Sequence, residues 1–201
     1  TICVQGFLAP ANDDCANATV LTPSSACTPV NLTLSGATLD GPAAVGTCSP
    51  NPSQDVWCSF SATTEMMRIV LSGDNIISVG LQVYNESCGG SLFTCRNVNG
   101  SVNGETILVN NFVIGQAYFI RVLNEYATPL TTSNFTICLQ EYPAPANDDC
   151  ADATVLIPGS ECTSVNLTLS GATLDGPAAV GTCSPNPSQD VWYSFTATTE
   201  M

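Results

Sequence analysis

The stretch "NLTLSGATLDGPAAVGTCSPNPSQDVW" runs from Asn31 to Trp57 and returns unchanged from Asn166 to Trp192. It is entered through an alternation of apolar residues, Val30, Leu32 and Leu34, the period of two that a half-buried strand requires. A crossover rich in Gly, Pro, Ser and Asn follows. The stretch closes on the first residues of a second alternating run, Val56, Cys58 and Phe60. Strand, irregular crossover, strand is the grammar of an all-β fold. The residue after each copy differs: Cys58 after the first, Tyr193 after the second.

Extending the match outward exposes an internal repeat. Residues 1–66 align with 136–201 at a constant offset of 135, without a gap and with 55 of the 66 positions identical. Three segments follow from this offset: residues 1–9 as the last strand of a preceding repeat, residues 10–142 as a complete repeat, and residues 143–201 as the first part of the next. The joint, "EYPAPANDDC" from Glu141 to Cys150, carries two prolines in three residues. Alternating proline holds a backbone extended, so the joint is expected to be short and stiff. The whole chain reads as a segment of a longer tandem array.

Within one period the alternation recurs in seven runs, set by Val30 to Leu34, Val56 to Phe60, Met67 to Leu71, Val79 to Val83, Ile107 and Val109, Tyr118 to Val122, and Phe135 to Leu139. Seven such runs separated by turn-forming clusters predict an antiparallel β-sandwich of jelly-roll or immunoglobulin type, repeated about every 135 residues. One short helical turn is expected per repeat, in "NDDCANATVL" (Asn12 to Leu21), with Asn12 or Asp13 as its cap.

Composition excludes several functions. Three Arg and no Lys stand against 17 Asp plus Glu, a net charge of −14 that repels nucleic acid and anionic lipid. No apolar run is long enough for a membrane-spanning helix, so no membrane insertion is expected. Without His or Lys, serine triads, Cys–His dyads and Schiff bases cannot form within these residues, and no enzyme is expected. Eleven cysteines without a single C-x-x-C pair point to disulfides formed in an oxidising, extracellular setting.

Six spaced motifs, "PANDDCANATVL", "SGATLDG", "DVWCSFSAT", "LQVYNESCGGSLFTC", "AYFIRV" and "NFTICLQ", occur in that order. Together they resemble a repeat found in large secreted and surface proteins of Bacteroidota exported by the type IX system. The core from "DVWCSF" to "AYFIRV" is also similar to the bacterial pre-peptidase C-terminal domain, a jelly-roll-like β-sandwich. The resemblance covers the whole period and implies a non-catalytic extracellular module used in tandem. Position 58 departs from it, since an aromatic such as Tyr193 is usual there.

One period holds seven cysteines, at 15, 27, 48, 58, 88, 95 and 138. Setting aside Cys58, absent from the second copy, leaves six for pairing. Cys88 and Cys95 flank "GGSLFT" and suggest one local bridge; Cys15 and Cys27 bracket the helical turn and suggest another. Cys150 and Cys162 take the places of Cys15 and Cys27 in the next copy. Cys48 and Cys138 then remain, either to close the repeat or, in a rival scheme pairing Cys138 with Cys183 or Cys3 with Cys48, to staple neighbouring repeats. Cys58 itself is either a buried small hydrophobe or a thiol available to Cys48 or to another chain.

No cofactor is expected; calcium is the one worth weighing, with the oxygens of Asn12, Asp13, Asp14 and Asp55 as candidates. Paired Asp13 and Asp14 also suit capping and turn formation. N-x-S/T sequons begin at Asn17, Asn31, Asn85, Asn99, Asn134 and Asn166; the bacterial resemblance implies that they are not glycosylated. Trp57 and Trp192 are either core residues or sugar-stacking platforms. The expected function is that of a structural or adhesive repeat in a cell-surface filament, partnered by neighbouring repeats, by further copies of itself, and by a surface glycan or protein. A carbohydrate-binding or targeting appendage of a secreted hydrolase is the alternative.

Overall fold

A computed structural model describes residues 2–3, 6–42, 52–73, 79–97, 105–125, 128–129, 133–174, 176 and 187–198. Nine strands build two sheets. They are β1 (Thr19–Val20), β2 (Val30–Thr33), β3 (Gln54–Ser61), β4 (Met66–Ser72), β5 (Val79–Asn85), β6 (Leu92–Asn97), β7 (Glu105–Val109), β8 (Ala117–Asn124) and β9 (Asn134–Tyr142). One sheet has the order β1-β3-β8-β5-β6 and the other β2-β9-β4-β7. All seven alternating runs become strands, and their inward residues interleave into one core. Val56, Phe60, Ile120 and Val122 come from the first sheet, Met67, Ile69, Phe135 and Ile137 from the second. Each such side chain contributes on the order of 1.5–3 kcal/mol on burial.

Two strands carry no strong alternation and are additions to the expected seven. β1 is two residues long and pairs parallel to β3, Thr19 beside Cys58. β6 occupies "LFTCRN", which looked like loop; it forms a hairpin with β5 in which Cys95 lies opposite Gln82. An aromatic knot seals one end of the core, where Phe112 meets Tyr118 edge-on at 4.8 Å and Phe93 stacks on Phe112 at 5.1 Å. The Tyr118 hydroxyl is satisfied there by accepting from the Val113 amide at 2.9 Å.

The expected helical turn shrinks to a single 3-10 turn, Cys15–Asn17. Neither Asn12 nor Asp13 caps it. Asp14 holds the cap position without a side-chain bond, because Asp13 is turned toward Thr38. Residues 2–3 and 6–9 form no strand either, although residues 1–7 match residues 136–142 of β9 at four of seven positions. β9 is a strand because β2 and β4 flank it, and the early residues have no such neighbours.

The second copy repeats the elements of the first copy's entrance among the described residues. It has the 3-10 turn (Cys150–Asp152) and two further strands, β10 (Thr154–Leu156) and β11 (Tyr193–Phe195), paired parallel as β1 and β3 are.

Candidate functional site

The outer face of the β1-β3-β8-β5-β6 sheet is not open to solvent. Asp55 and Trp57 alternate out of phase with Val56, Cys58 and Phe60, and register sets Trp57 opposite Arg121 and Arg121 opposite Gln82. Arg121, 1% exposed, donates from Nε to Oδ2 of Asp55 at 2.5 Å. Its Nη1 also donates to the Pro42 carbonyl at 2.7 Å, and its guanidinium lies 5.5 Å from the Trp57 ring. Gly41 donates its amide to the same Asp55 oxygen. It must be glycine, since a Cβ there would sit about on the guanidinium, 2.5 Å from its carbon. Among the described residues, Oδ1 of Asp55 and Nε2 of Gln82 are buried without a partner, and the Arg121–Asp55 ion pair is the network's strongest link.

Beside this pair, Trp57, Tyr84 and Cys88 form a second apolar cluster, with Cys15, Ala18, Leu92 and Phe119 packed on it. The 3-10 turn lies over it and is held down by a disulfide from Cys15 to Cys88. Trp57, 1% exposed, is therefore a packing residue and offers no face to a sugar.

The disulfides are long-range, contrary to the local bridges expected. Cys15 pairs with Cys88 across 73 residues, and Cys27 pairs with Cys138 across 111. Cys15 and Cys27 cannot bond to each other because β1 separates them: one lies on the outer face of the first sheet, the other beside β9 of the second. Ser24 there accepts from the Glu141 amide and donates to the Leu139 carbonyl. Cys88 cannot reach Cys95 because the β5-β6 hairpin leaves Cys88 at its turn and carries Cys95 up the strand. Cys95 is itself disulfide-bonded. The Cys27–Cys138 bond also removes Cys138 from both a bridge to Cys48 and a staple to Cys183; Cys48 and Cys183 lie outside the described residues, as does Asn99. Cys3, Cys150 and Cys162 are exposed free thiols. Cys150 and Cys162, the counterparts of Cys15 and Cys27, are thus not in disulfides here.

Cys58 is fully buried in the main core. Burial pushes its thiol up to about 12 from an ordinary 9.0, so it is a neutral, small hydrophobe at any physiological pH. No intermolecular bridge can reach it without unfolding.

Of the four calcium candidates, Asp13 has both carboxylate oxygens engaged, Asp55 has one, and Asn12 is bound through its side-chain nitrogen and backbone carbonyl. The Asn12 side chain donates to the Trp57 carbonyl, and its own carbonyl accepts from the Trp57 amide, each at 2.9 Å. Asp13 accepts from the amide and hydroxyl of Thr38 at 2.7 and 2.9 Å. Asp55 serves Arg121. Asp14 is exposed beside Asp40, whose hydrogen bond and negative charge raise its carboxyl above the ordinary 3.8; both line a cleft of about 370 Å³ over Trp57 and Cys88. Among the described residues, no three His, Cys, Asp or Glu side chains are grouped to hold a metal.

A larger groove, about 820 Å³, runs between β2 and β9 on one side and Pro10, Ala11, Asn12 and Thr19 of the entrance on the other. Register puts Asn31 beside Thr136, Thr33 beside Asn134, and Ser72 beside Thr136. The groove's polar wall is thus made of uncharged amides and hydroxyls, with Pro10, Ala11, Leu32 and Phe135 supplying apolar surface. Two of the sequon asparagines, Asn31 and Asn134, are exposed in it.

Bond for bond, the second copy repeats the first at its entrance. Asn147 donates to the Trp192 carbonyl at 3.0 Å, and Asp148 accepts twice from Thr173 at 2.8 Å. Gln189 bridges the Leu169 and Ala172 carbonyls as Gln54 bridges those of Leu34 and Ala37. Gly176 donates to Asp190 as Gly41 does to Asp55. Sequence reasoning missed Arg121, the residue that completes this framework in the first copy. Its signal was available, as a rare cation inside the apolar strand "AYFIRV", out of phase with Tyr118, Ile120 and Val122.

These features define an all-β, disulfide-tied sandwich whose entrance is a self-contained hydrogen-bonded unit. The chain belongs to the galactose-binding-domain-like family associated with type IX secretion, matching it over residues 11–137 and again over 146–200. Among solved structures it is similar to the pre-peptidase C-terminal domain of a collagenase from Bacillus anthracis (10% identity, 61% of this chain and 96% of that one, TM-score 0.38). It is similar also to a mitogen derived from Yersinia pseudotuberculosis (10%, 58% and 86%, 0.38) and to a family 36 carbohydrate-binding module in complex with calcium and xylotriose (12%, 55% and 96%, 0.28). No curated protein matches it. Family and disulfides together make it an extracellular protein. Among the described residues, no helix is long and apolar enough to cross a membrane.

Proposed function

We propose that this chain is a non-catalytic structural segment of a tandem array, a rod or filament at a bacterial surface in which each repeat contacts its neighbours and like copies. The observation that carries this reading is the entrance framework, present twice with the same partners. A unit that forms from its own first residues can be added in series without redesign. Identical repeats also present identical surfaces, and a heterologous contact between them that does not close builds a fibre. Buried Trp57, the long-range disulfides and the Arg121–Asp55 pair serve cohesion, and none of them is arranged for acid-base or nucleophilic work.

A second reading, a carbohydrate-binding or targeting module, is favoured by the uncharged amide and hydroxyl groove around Asn31, Thr33, Asn134 and Thr136. Such a wall suits a neutral polyhydroxylated ligand, though it lacks an aromatic platform. One experiment separates the two. The intact protein is sized and imaged, and this chain is passed over a glycan array. The array reading expects many copies, an elongated particle and no glycan bound. One or two copies attached to a hydrolase, with a glycan bound and lost on Asn31→Ala and Asn134→Ala, would overturn it.

A further inference from the structure

The way one repeat hands the chain to the next is the same at both places where it can be seen. Gly36 and Gly171 occupy equivalent turns at φ +79° and +85°. This left-handed region is cheap only for glycine. A Cβ on Gly36 would fall on the Leu8 carbonyl, and one on Gly171 on the Pro143 carbonyl with the Tyr142 carbonyl beside it. Leu8 and Pro143 are themselves equivalent, 135 positions apart. The incoming chain therefore lies directly over the bare Cα of this turn, two residues before the threonine that Asp13 or Asp148 holds.

The joint is tied on its other side as well. Tyr142 is the last residue of β9. One residue earlier, Glu141 accepts from the Thr63 hydroxyl at 2.6 Å, and the Arg68 guanidinium lies 5.1 Å from the Tyr142 ring. Between the two copies, along the linker itself, a cleft of about 550 Å³ opens, with Thr63, Glu65 and Ile114 on one side and Pro145, Asp149 and Asp152 on the other. The orientation of the repeats is thus governed by the linker seat and not by a broad interface.

We infer that the glycine turn is a docking seat for the last residues of the preceding repeat, and that it joins successive repeats in one fixed orientation. Because the seat belongs to each repeat, every joint in a series has the same rotation, and the series is a regular superhelix. This extension rests on the array reading above; the joint itself does not.

The test measures a distance across the joint in this chain. Nitroxides are attached through encoded non-cysteine handles at exposed Thr106 on β7 and Ser194 on β11, and their separation is read by pulsed electron resonance. The unaltered chain is expected to give one narrow distribution. Gly171→Ala removes the seat, and insertion of two glycines after Pro143 leaves the seat intact but slackens the linker. Gly171→Ala is expected to broaden the distribution about twofold, whereas the insertion, which keeps the seated residues joined to β9, and Gly36→Ala, at the other seat, leave it unchanged. A distribution already broad in the unaltered chain, one unmoved by Gly171→Ala, or one broadened by the insertion, overturns the inference. The array reading fails separately, on the mass and repeat count of the intact protein.

Discussion

Leu34 and Leu169 stand in identical sequence, accept the same bond from the same glutamine, and differ in everything else: Leu34 is fully buried and Leu169 is 51% exposed. Phe60 and Phe195, 2% and 68% exposed, repeat the contrast. The two copies share their turn, their parallel strand pair and their side-chain clasps. Among the described residues, β4 to β9 lie in the first copy. Local hydrogen bonding is therefore written into the first sixty or so residues of a repeat, while the core, and most of the free energy, comes from strands supplied later in the chain.

That contrast can be broken most forcefully at the buried ion pair. Asp55→Ala leaves Arg121 charged and unpaired in the interior and is expected to cost about 3–5 kcal/mol in urea unfolding of the sandwich. Asp190→Ala, the same substitution in the other copy, is expected to leave that transition in place. Equal losses would show that the second copy is as cohesive as the first.

The disulfides sharpen the same point. Cys138→Ser opens a loop of 111 residues and is expected to cost about 2–5 kcal/mol, while Cys162→Ser, altering an exposed thiol, is expected to cost nothing measurable by the same melt.

Position 58 offers a smaller effect. Cys58→Tyr forces the residue of the second copy into a filled core, at about 1–3 kcal/mol; Tyr193→Cys, in a half-buried site, should be nearly neutral. The Cys58 thiol also sets a pH dependence. Its proton is held more tightly folded than unfolded, so its stabilising contribution is whole below pH 9 and is lost as pH rises toward about 12. Denaturant midpoints taken across that window should fall less steeply for Cys58→Ala than for the unaltered protein. The smallest effect expected is that of a chelator. With Asn12, Asp13 and Asp55 committed to Trp57, Thr38 and Arg121, the melting temperature of the sandwich should not move.

The sequence reading succeeded where period and packing coincide. Val56, Phe60, Ile120 and Phe135 alternate because one face of each strand meets the core, and such faces are readable one residue at a time. It failed where a partner lies far along the chain. The pairing of Cys27 with Cys138 depends on β2 lying beside β9, a contact between residues over a hundred positions apart. Likewise nothing near Asp13 announces that its carboxylate will hold Thr38 and so forgo the helix cap. β1 was invisible for a simpler reason: two residues carry no period. Trp57 was undecided because both faces of its sheet are covered, one by the second sheet and the other by the chain's own entrance.

Hydrogen exchange tests most directly the claim that the two copies share bonds but not stability. Peptides spanning 52–61 and 187–196 differ in mass at Cys58 and Tyr193 and can be followed separately in one sample. The Trp57 amide donates to the Asn12 carbonyl and the Trp192 amide to that of Asn147, each at 2.9 Å. The account predicts that the first peptide exchanges only on global unfolding of the sandwich and the second orders of magnitude faster, by local opening. Equal protection of the two would contradict it, since the entrance framework would then be stable without the strands that bury it.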